Sequence, residues 1–196
     1  MKISFLASHG GSAAKHLIKA IHEKRLAADI GIVITNNLDS EIYTWCKENK
    51  IEIHYLSGKT HPNAEKKDKA ICSALLDAKT DLVILSGYMK KIGPTMLSAY
   101  SNKILNIHPS LLPRHGGKGL YGNRVHEAVL TSGDRESGAT VQLINEKYDE
   151  GPIVSQQKIE LSTGETVESL KAKVEAIEGD LYLHSIKKVM STLHCL

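Results

Sequence analysis

Two polar residues in the segment 104–113, Asn106 and His108, are of types that suit stabilisation of a developing negative charge. They follow the apolar residues Ile104 and Leu105 and stand two positions apart, so on a strand their side chains project to the same side. The Asn106 amide can donate one N–H group, and a protonated His108 imidazole can donate a second and add charge. The pair favours oxyanion binding at a strand end, although a histidine that is only structural is the commoner case there.

A third polar residue, Asp149, lies in the segment 147–152, which links two late apolar runs. The residue types Asp-Glu-Gly-Pro are common in a polar hairpin turn. The Asp149 carboxylate can instead reach the His108 imidazole or a reacting amine and help to move a proton. The spacing leaves both interpretations open.

The residues Gly10, Gly11 and Ser12 separate the first apolar run from a helical pattern. Glycines permit a tight turn, and the free N–H groups at a helix start suit a phosphate. Ser12 is also a good N-cap residue, so the segment predicts either a phosphate loop or a plain capped turn. The spacing matches neither a dinucleotide fingerprint nor a Walker loop.

The elements that must position these residues follow from apolar runs alternating with segments of helical period. Predicted strands cover residues 3–7, 30–35, 51–56, 82–85, 104–108, 141–144 and 153–159. Predicted helices cover residues 14–21, 41–49, 71–78, 125–130 and 167–181. Because the early strands are almost entirely apolar, we predict an α/β fold: a doubly wound, mostly parallel sheet with helices on both faces and the last strands partly antiparallel. Ligands of such sheets bind at the carboxyl ends of the strands, which is where the polar segments fall.

Length and composition limit the class of protein. The 196 residues, 41% of them hydrophobic, suffice for one domain with a sizeable core. A net charge of +3 and 5% aromatic residues do not favour a nucleic-acid partner. Cys46, Cys72 and Cys195 lack paired spacing, which predicts free thiols in a reducing compartment. The apolar run at residues 3–7 is too short for a signal peptide or a membrane span, so we expect a cytoplasmic protein with no membrane contact.

Motifs along nearly the whole chain resemble those of the folate-dependent formyltransferases. The resemblance rests on Asn106-Ile107-His108-Pro109, on the later Asp149-Glu150-Gly151-Pro152 followed by a long helix, and on the segments 86–92, 117–122, 125–128 and 138–140. It implies a single Rossmann-like formyltransferase domain over residues 1–196. Residues 1–100 would form the phosphate- and acceptor-binding half, and residues 101–196 the folate-binding and catalytic half.

The resemblance also implies an activity, namely transfer of a formyl group from the co-substrate 10-formyltetrahydrofolate to a primary amine, without a metal. Within the family, the motifs are most similar to those of members that formylate glycinamide ribonucleotide in purine synthesis. Asn106, His108 and Asp149 would be the catalytic residues. The implied binding residues are Gly10, Gly11, Ser12 and Glu178 for the ribonucleotide and Met89, Lys90, Ile92, Asn145 and Glu146 for the folate. Partners would be small molecules, and the protein would be a monomer or a homodimer.

Glu178 is notable from the sequence pattern as well. It follows Val174 by four residues and therefore falls on the apolar stripe of the last predicted helix. A carboxylate on such a stripe is either a hydrogen-bonded core group or a ligand contact.

Three departures from the usual family pattern keep other functions open. Ala13 stands where the phosphate loop usually has Asn, Gln142 stands where His is common, and Asn123 and Arg124 intrude near the acceptor side. A formyltransferase that acts on an amino sugar or an amino acid is therefore an alternative. A formyltetrahydrofolate hydrolase and a non-catalytic binder of folate or nucleotide are further alternatives.

Overall fold

The computed structural model describes residues 1–193, so Cys195 lies outside the described residues. The strands are β1 (Lys2–Ala7), β2 (Asp29–Thr35), β3 (Ile53–Tyr55), β4 (Leu82–Leu85), β5 (Ile104–His108), β6 (Glu136–Leu143) and β7 (Ile153–Glu160). The helices are α1 (Ser12–His22), α2 (Glu41–Glu48), α3 (Ala64–Asp77), α4 (Pro94–Ala99), α5 (Asn123–Ser132) and α6 (Val167–Leu193).

The strands form a seven-stranded sheet in the order β3-β2-β1-β4-β5-β6-β7. β1 pairs in parallel with both β2 and β4, and β2 pairs in parallel with β3. β6 and β7 pair antiparallel, from Glu136 opposite Glu160 to Gln142 opposite Ile153. The predicted α/β class is thereby confirmed, including the antiparallel pairing of the last two strands.

The chain divides into two compact units, the first over Met1–Leu105 and the second from Asn106 onward. In the first unit, β4 is buried along its whole length and β1 is buried after Lys2. The α1 residues Leu17 and Ile18 are buried as well. Apolar runs without alternation therefore became strands covered on both faces, as parallel strands require.

The second unit has its core where β6 and the helices α5 and α6 contribute buried side chains. Val141, Val125 and Val174 are fully buried, and Tyr182 on α6 is the largest side chain in this group. β7 is an edge strand of the sheet, and its residues are either exposed or only partly buried. β7 therefore adds no fully buried side chain to this core.

Three local predictions were wrong. Ser12 does not cap α1, because Gly11 holds the N-cap position with φ of +61° and α1 begins at Ser12. β6 begins at Glu136 rather than at residue 141, since Gly138 lets the backbone approach β7 so closely that a Cβ there would lie 2.0 Å from the Gln157 carbonyl oxygen. The short helix α4 was not predicted, because six residues are too few to show a helical period.

Two of the three cysteines for which free thiols were predicted lie within the described residues. Cys46 and Cys72 are free and buried, and burial raises the pKa of the Cys46 thiol to about 11. Between residues 1 and 193, no helix combines the length and the apolar character needed to cross a membrane.

Candidate active site

The first unit brings two predicted binding segments together at the carboxyl ends of neighbouring strands. β1 leads into the loop at residues 8–12, and β4 leads into the segment 86–92. The strand order reverses between β1 and β4, and this switch point is where open α/β sheets bind ligands. Ser8 joins the two segments, since its hydroxyl accepts a hydrogen bond from the Met89 N–H at 2.8 Å and donates one to Asn36 Oδ1 at 2.5 Å.

The loop at residues 8–12 presents free backbone donors. Gly11 is in the left-handed region, and a Cβ on it would lie 2.8 Å from Ile42 Cδ1, so only glycine fits. The Ala14 N–H donates to the Ser86 hydroxyl at 3.0 Å. The N–H groups of Ser12 and Ala13 make no hydrogen bond within residues 1–193. Two donors at the positive end of an 11-residue helix can therefore receive an anion.

A charge pair lies beside this loop. Lys15 Nζ contacts Glu41 Oε1 at 2.5 Å, and the other Glu41 carboxylate oxygen lies 3.4 Å from the position of a Cβ on Gly10. The carboxylate would oppose an incoming anion, and the Lys15 ammonium offsets it.

The predicted folate-lining residues differ in exposure. Met89 is 44% exposed and Lys90 is exposed, whereas Ile92 is 8% exposed. Sequence reasoning missed the residue that fixes the segment after them, Asp68 on α3, which accepts the Thr95 N–H at 2.7 Å and so caps α4. Asp68 occupies the apolar stripe that continues with Ile71, Cys72 and Leu75, and a carboxylate on that stripe was the available signal.

His108 ends β5 in the second unit and is 4% exposed. Its Nε2 atom lies 2.8 Å from the His115 carbonyl oxygen, and a carbonyl only accepts, so Nε2 carries the hydrogen. The other ring nitrogen, Nδ1, lies 3.6 Å from Asp149 Oδ2. Only Nδ1 is thus available to a reacting group.

Asp149 is held by two donors. Its Oδ2 accepts the Gly117 N–H at 2.9 Å, and its Oδ1 accepts the Gln142 side-chain N–H at 2.9 Å. Its backbone has φ of +56°, which asparagine and aspartate tolerate better than most residues do. Both donors suit an ionised carboxylate.

The contact between His108 and Asp149 limits which hydrogen bonds the ring can make. With Nε2 protonated, a neutral imidazole would turn the lone pair of Nδ1 toward the Asp149 carboxylate, and two acceptors repel. A hydrogen on Nδ1 would make the ring a donor toward the carboxylate. At 3.6 Å the two atoms are beyond hydrogen-bond distance, so a proton on Nδ1 can be donated to a third group.

Asn106 and Glu178 are also in the second unit. The Asn106 side chain is half-buried and makes no hydrogen bond with any residue described in the structure. Burial, reinforced by Glu175, raises the pKa of Glu178 to about 7. One turn further along α6, the fully buried Tyr182 is hydrogen-bonded to the backbone of Ile107, which lies between Asn106 and His108. Sequence reasoning missed this anchor of the strand.

The predicted folate residues of the second unit lie on the surface. Asn145 and Glu146 are exposed in the turn between β6 and β7. Asn145 stabilises this turn, since its Oδ1 accepts the Lys147 N–H at 2.9 Å and its amide donates to the Glu150 carbonyl at 3.2 Å. The Glu146 side chain makes no hydrogen bond or ion pair with any residue from 1 to 193.

The second unit can therefore supply an amide donor, a ring N–H and a carboxylate at one strand end. Such a set can stabilise an oxyanion and transfer a proton. Among residues 1–193, no group of three or more His, Cys, Asp or Glu side chains is arranged to hold a metal ion.

Fold and site together define a class of protein. The chain belongs to the formyl transferase family, whose model matches residues 1–186.

Individual proteins similar to this chain share one name. The chloroplastic phosphoribosylglycinamide formyltransferase of Arabidopsis thaliana is 34% identical over 186 residues, covering 94% of this chain and 64% of that protein. The phosphoribosylglycinamide formyltransferase of Haemophilus influenzae is also 34% identical over 186 residues, covering 95% of this chain and 85% of that protein. The crystal structure of the enzyme of that name from Bacillus halodurans superposes with a TM-score of 0.89 at 30% identity, covering 97% of this chain and 96% of that one. The chain thus spans less than two thirds of the Arabidopsis relative and most of the two bacterial ones.

Proposed function

We propose that this chain transfers a formyl group from 10-formyltetrahydrofolate to the primary amine of glycinamide ribonucleotide. The amine nitrogen bonds to the formyl carbon, the bond between that carbon and the folate nitrogen breaks, and one proton passes from the amine to the folate nitrogen. The observation that carries the proposal is the pairing of His108 Nδ1 with Asp149 Oδ2 at 3.6 Å, in a chain of the formyl transferase family.

In the second unit, Asn106 and His108 stabilise the negative charge that develops on the formyl oxygen. The unpartnered Asn106 amide supplies one N–H donor, and His108 supplies the other through Nδ1, because its Nε2 is bonded to His115. Each such donor typically contributes about 3–4 kcal/mol to the stabilisation of a transition state. Asp149 accepts the proton that the amine loses and returns it toward the folate nitrogen, an effect typically of about 10²–10⁴-fold.

Glu178 contacts the acceptor in this proposal. With a pKa of about 7, it is present in both the protonated and the ionised form near neutral pH. It can thus either donate or accept a hydrogen bond with a hydroxyl or an amine of the acceptor.

In the first unit, Gly10, Gly11 and Ser12 bind the phosphate of the ribonucleotide. The two free N–H groups at the start of α1 support this role and do not depend on the asparagine that Ala13 replaces. Backbone donors hold a phosphate by geometry, so a change of side chain at position 13 leaves them in place.

Each of the two units contains residues proposed to bind the folate. Met89, Lys90 and Ile92 of the first unit are proposed folate-binding residues, and so are Asn145 and Glu146 of the second. The support is the 44% exposure of Met89 and the Lys90 cation one residue further on, which suit an apolar ring and an acidic tail.

We propose a cytoplasmic location for this reaction.

The test is an absorbance assay for deformylated folate in which one acceptor is added at a time. We expect product with glycinamide ribonucleotide, and much less with glycinamide that lacks the ribose phosphate or with an amino sugar. Product formed equally with water alone would contradict transfer to an amine. Preference for a non-phosphorylated amine would contradict the proposed acceptor.

A further inference from the structure

A single loop of the second unit holds both members of the His108–Asp149 pair. The His115 carbonyl oxygen accepts the His108 Nε2–H at 2.8 Å, and two residues later the Gly117 N–H donates to Asp149 Oδ2 at 2.9 Å. The segment 115–117 is therefore the part of the chain that sets the distance between the imidazole and the carboxylate.

The backbone of this segment is strained. His115 has φ of +54° and Gly117 has φ of +103°. The left-handed conformation is unfavourable for a residue with a Cβ, so another contact must hold His115 in it. Gly116 adds to the crowding, since a Cβ on it would lie 2.4 Å from Leu112 Cδ2 and 3.2 Å from Asp149 Cβ.

The contact that holds His115 is a hydrogen bond with Asp134, the residue after the Gly133 cap of α5. His115 Nε2 lies 2.7 Å from Asp134 Oδ2, and the two side chains are only 16% and 21% exposed. The hydrogen bond from His115, with the nearby Arg114 guanidinium, lowers the pKa of Asp134, so this carboxylate is ionised at neutral pH. A partly buried hydrogen bond to an ionised carboxylate holds a side chain more firmly than an exposed one.

The start of the same loop is anchored separately. Thr140 on β6 accepts the Leu112 N–H at 3.0 Å and donates to the Ser110 carbonyl at 2.7 Å, and Ser110 donates to the Arg114 carbonyl at 2.8 Å. These backbone contacts of residues 110–114 do not involve Asp134, whose own contact with the segment is the half-exposed Arg114 guanidinium at 3.2 Å. These bonds do not hold residues 115–117, which make the contacts with His108 and Asp149.

We propose that His115 and Asp134 are positioning residues for the formyl transfer, because their hydrogen bond fixes the carbonyl that orients the His108 ring and the N–H that orients Asp149. The inference rests on the proposed function. Neither residue touches a substrate. Both act through the backbone of the segment 115–117.

The first test needs no substrate. In protein labelled with ¹⁵N-histidine, NMR measures the Nε2–H signal of His108 and its rate of hydrogen exchange. We expect His115→Gly, which tolerates the positive φ but lacks the side chain, and Asp134→Ala to shift this signal and to speed exchange about tenfold or more. Unchanged exchange in both variants would overturn the proposal. Asp134→Leu, whose side chain has a similar size but no acceptor for the His115 N–H, serves if the alanine variant does not fold.

The second test is kinetic. A displaced catalytic group lowers kcat by about 10- to 100-fold, so we expect such a loss in both variants with little change in the KM for either substrate. The double variant should lose hardly more than either single one, because both changes break one interaction. His115→Gln, whose amide can still donate to Asp134, should retain more activity than His115→Gly. Independent, additive losses in the double variant would contradict a shared role.

A matched control is available in the first unit. His54 Nε2 lies 2.8 Å from Glu52 Oε1, which is a histidine–carboxylate pair of similar geometry outside the proposed site. His54→Ala should leave kcat, KM and the His108 exchange rate unchanged. Wild-type protein without formyl transfer would contradict the proposed function, and the NMR exchange would still decide the role of His115 and Asp134.

Discussion

His108 and Asp149 face each other through Nδ1 and Oδ2 at 3.6 Å, while Nε2 of the same ring is bonded to the His115 carbonyl. The backbone bond fixes which nitrogen faces the carboxylate. The distance leaves the Nδ1 proton available to a third group. One ring nitrogen is thus bonded to the backbone, and the other faces the carboxylate.

Gln142 supports Asp149 with its side-chain amide. Its Nε2–H bonds Asp149 Oδ1, but its Oε1 is buried without a hydrogen-bond partner among the described residues. Gln142→Met should lower kcat about tenfold. Its free energy of unfolding should change by less than about 1 kcal/mol, because the lost hydrogen bond is offset by removal of the unpartnered oxygen. Urea unfolding and initial rates measure both effects, with the exposed Gln157→Met as the control. A large loss of stability without a loss of kcat would assign Gln142 to the fold alone.

Gly11 is required by both its backbone and its neighbour. With φ of +61° and a Cβ position 2.8 Å from Ile42 Cδ1, Gly11→Ala should lower the free energy of unfolding by about 1–3 kcal/mol. It should also raise the KM for the phosphorylated acceptor, because the donors of Ser12 and Ala13 move. Gly58→Ala is the control, since a Cβ there would meet nothing within 4 Å. Equal effects of the two substitutions would refute the special role of Gly11.

Much of the fold could be predicted because its strands are apolar without alternation. The predicted bounds of β4 and β5 coincide with those in the structure. Polar residues bound 82–85 on both sides, and 104–108 lies between a lysine and a proline. The start of β6 was missed because Glu136, Ser137 and Gly138 lack the apolar pattern of a strand. Their conformation follows from pairing with β7, a long-range contact with no local signal.

The site was predictable to the extent that residue types show their chemistry. Asn106, His108 and Asp149 are recognisable from polar residues at strand ends and before Gly-Pro. The contacts of His115 with His108 and Asp134 were not predictable, because one uses a backbone carbonyl and the other joins residues 19 positions apart. Tyr182 was missed for a similar reason, since its sequence position shows only a buried helix face.

Glu178 should make the free energy of unfolding fall as the pH rises. Its pKa is about 7 in the folded state against 4.5 for an ordinary glutamate, so the folded chain keeps a proton that the unfolded chain releases. The contribution of protonated Glu178 to the free energy of unfolding is therefore complete below pH 4.5 and is lost as the pH rises through about 7. Above about pH 8, Glu178→Gln should be more stable than wild type by up to about 3 kcal/mol, while its KM for the acceptor rises. Chemical unfolding at several pH values checks this, and a slope unchanged by the substitution would contradict it.

His126 should make the free energy of unfolding fall when the pH is lowered. Burial, followed by the charges of Lys171 and His108, lowers its pKa below 6.5, so the folded chain favours the neutral ring. Its contribution to stability is complete above pH 6.5 and is lost as the pH falls through the lowered pKa. His126→Leu should reduce the loss of unfolding free energy on acidification, and the exposed His22→Leu should not. Parallel acid profiles for wild type and His126→Leu would rule out this role.

The most direct test of the account is the turnover of Asp149→Asn with glycinamide ribonucleotide and 10-formyltetrahydrofolate. The substitution keeps the shape of the side chain and an oxygen for the Gln142 amide, but it removes the group that takes the proton. We predict that kcat falls by about 10²–10⁴-fold while the protein stays folded. A folded Asp149→Asn protein with wild-type kcat would contradict the assignment of proton transfer to the His108–Asp149 pair.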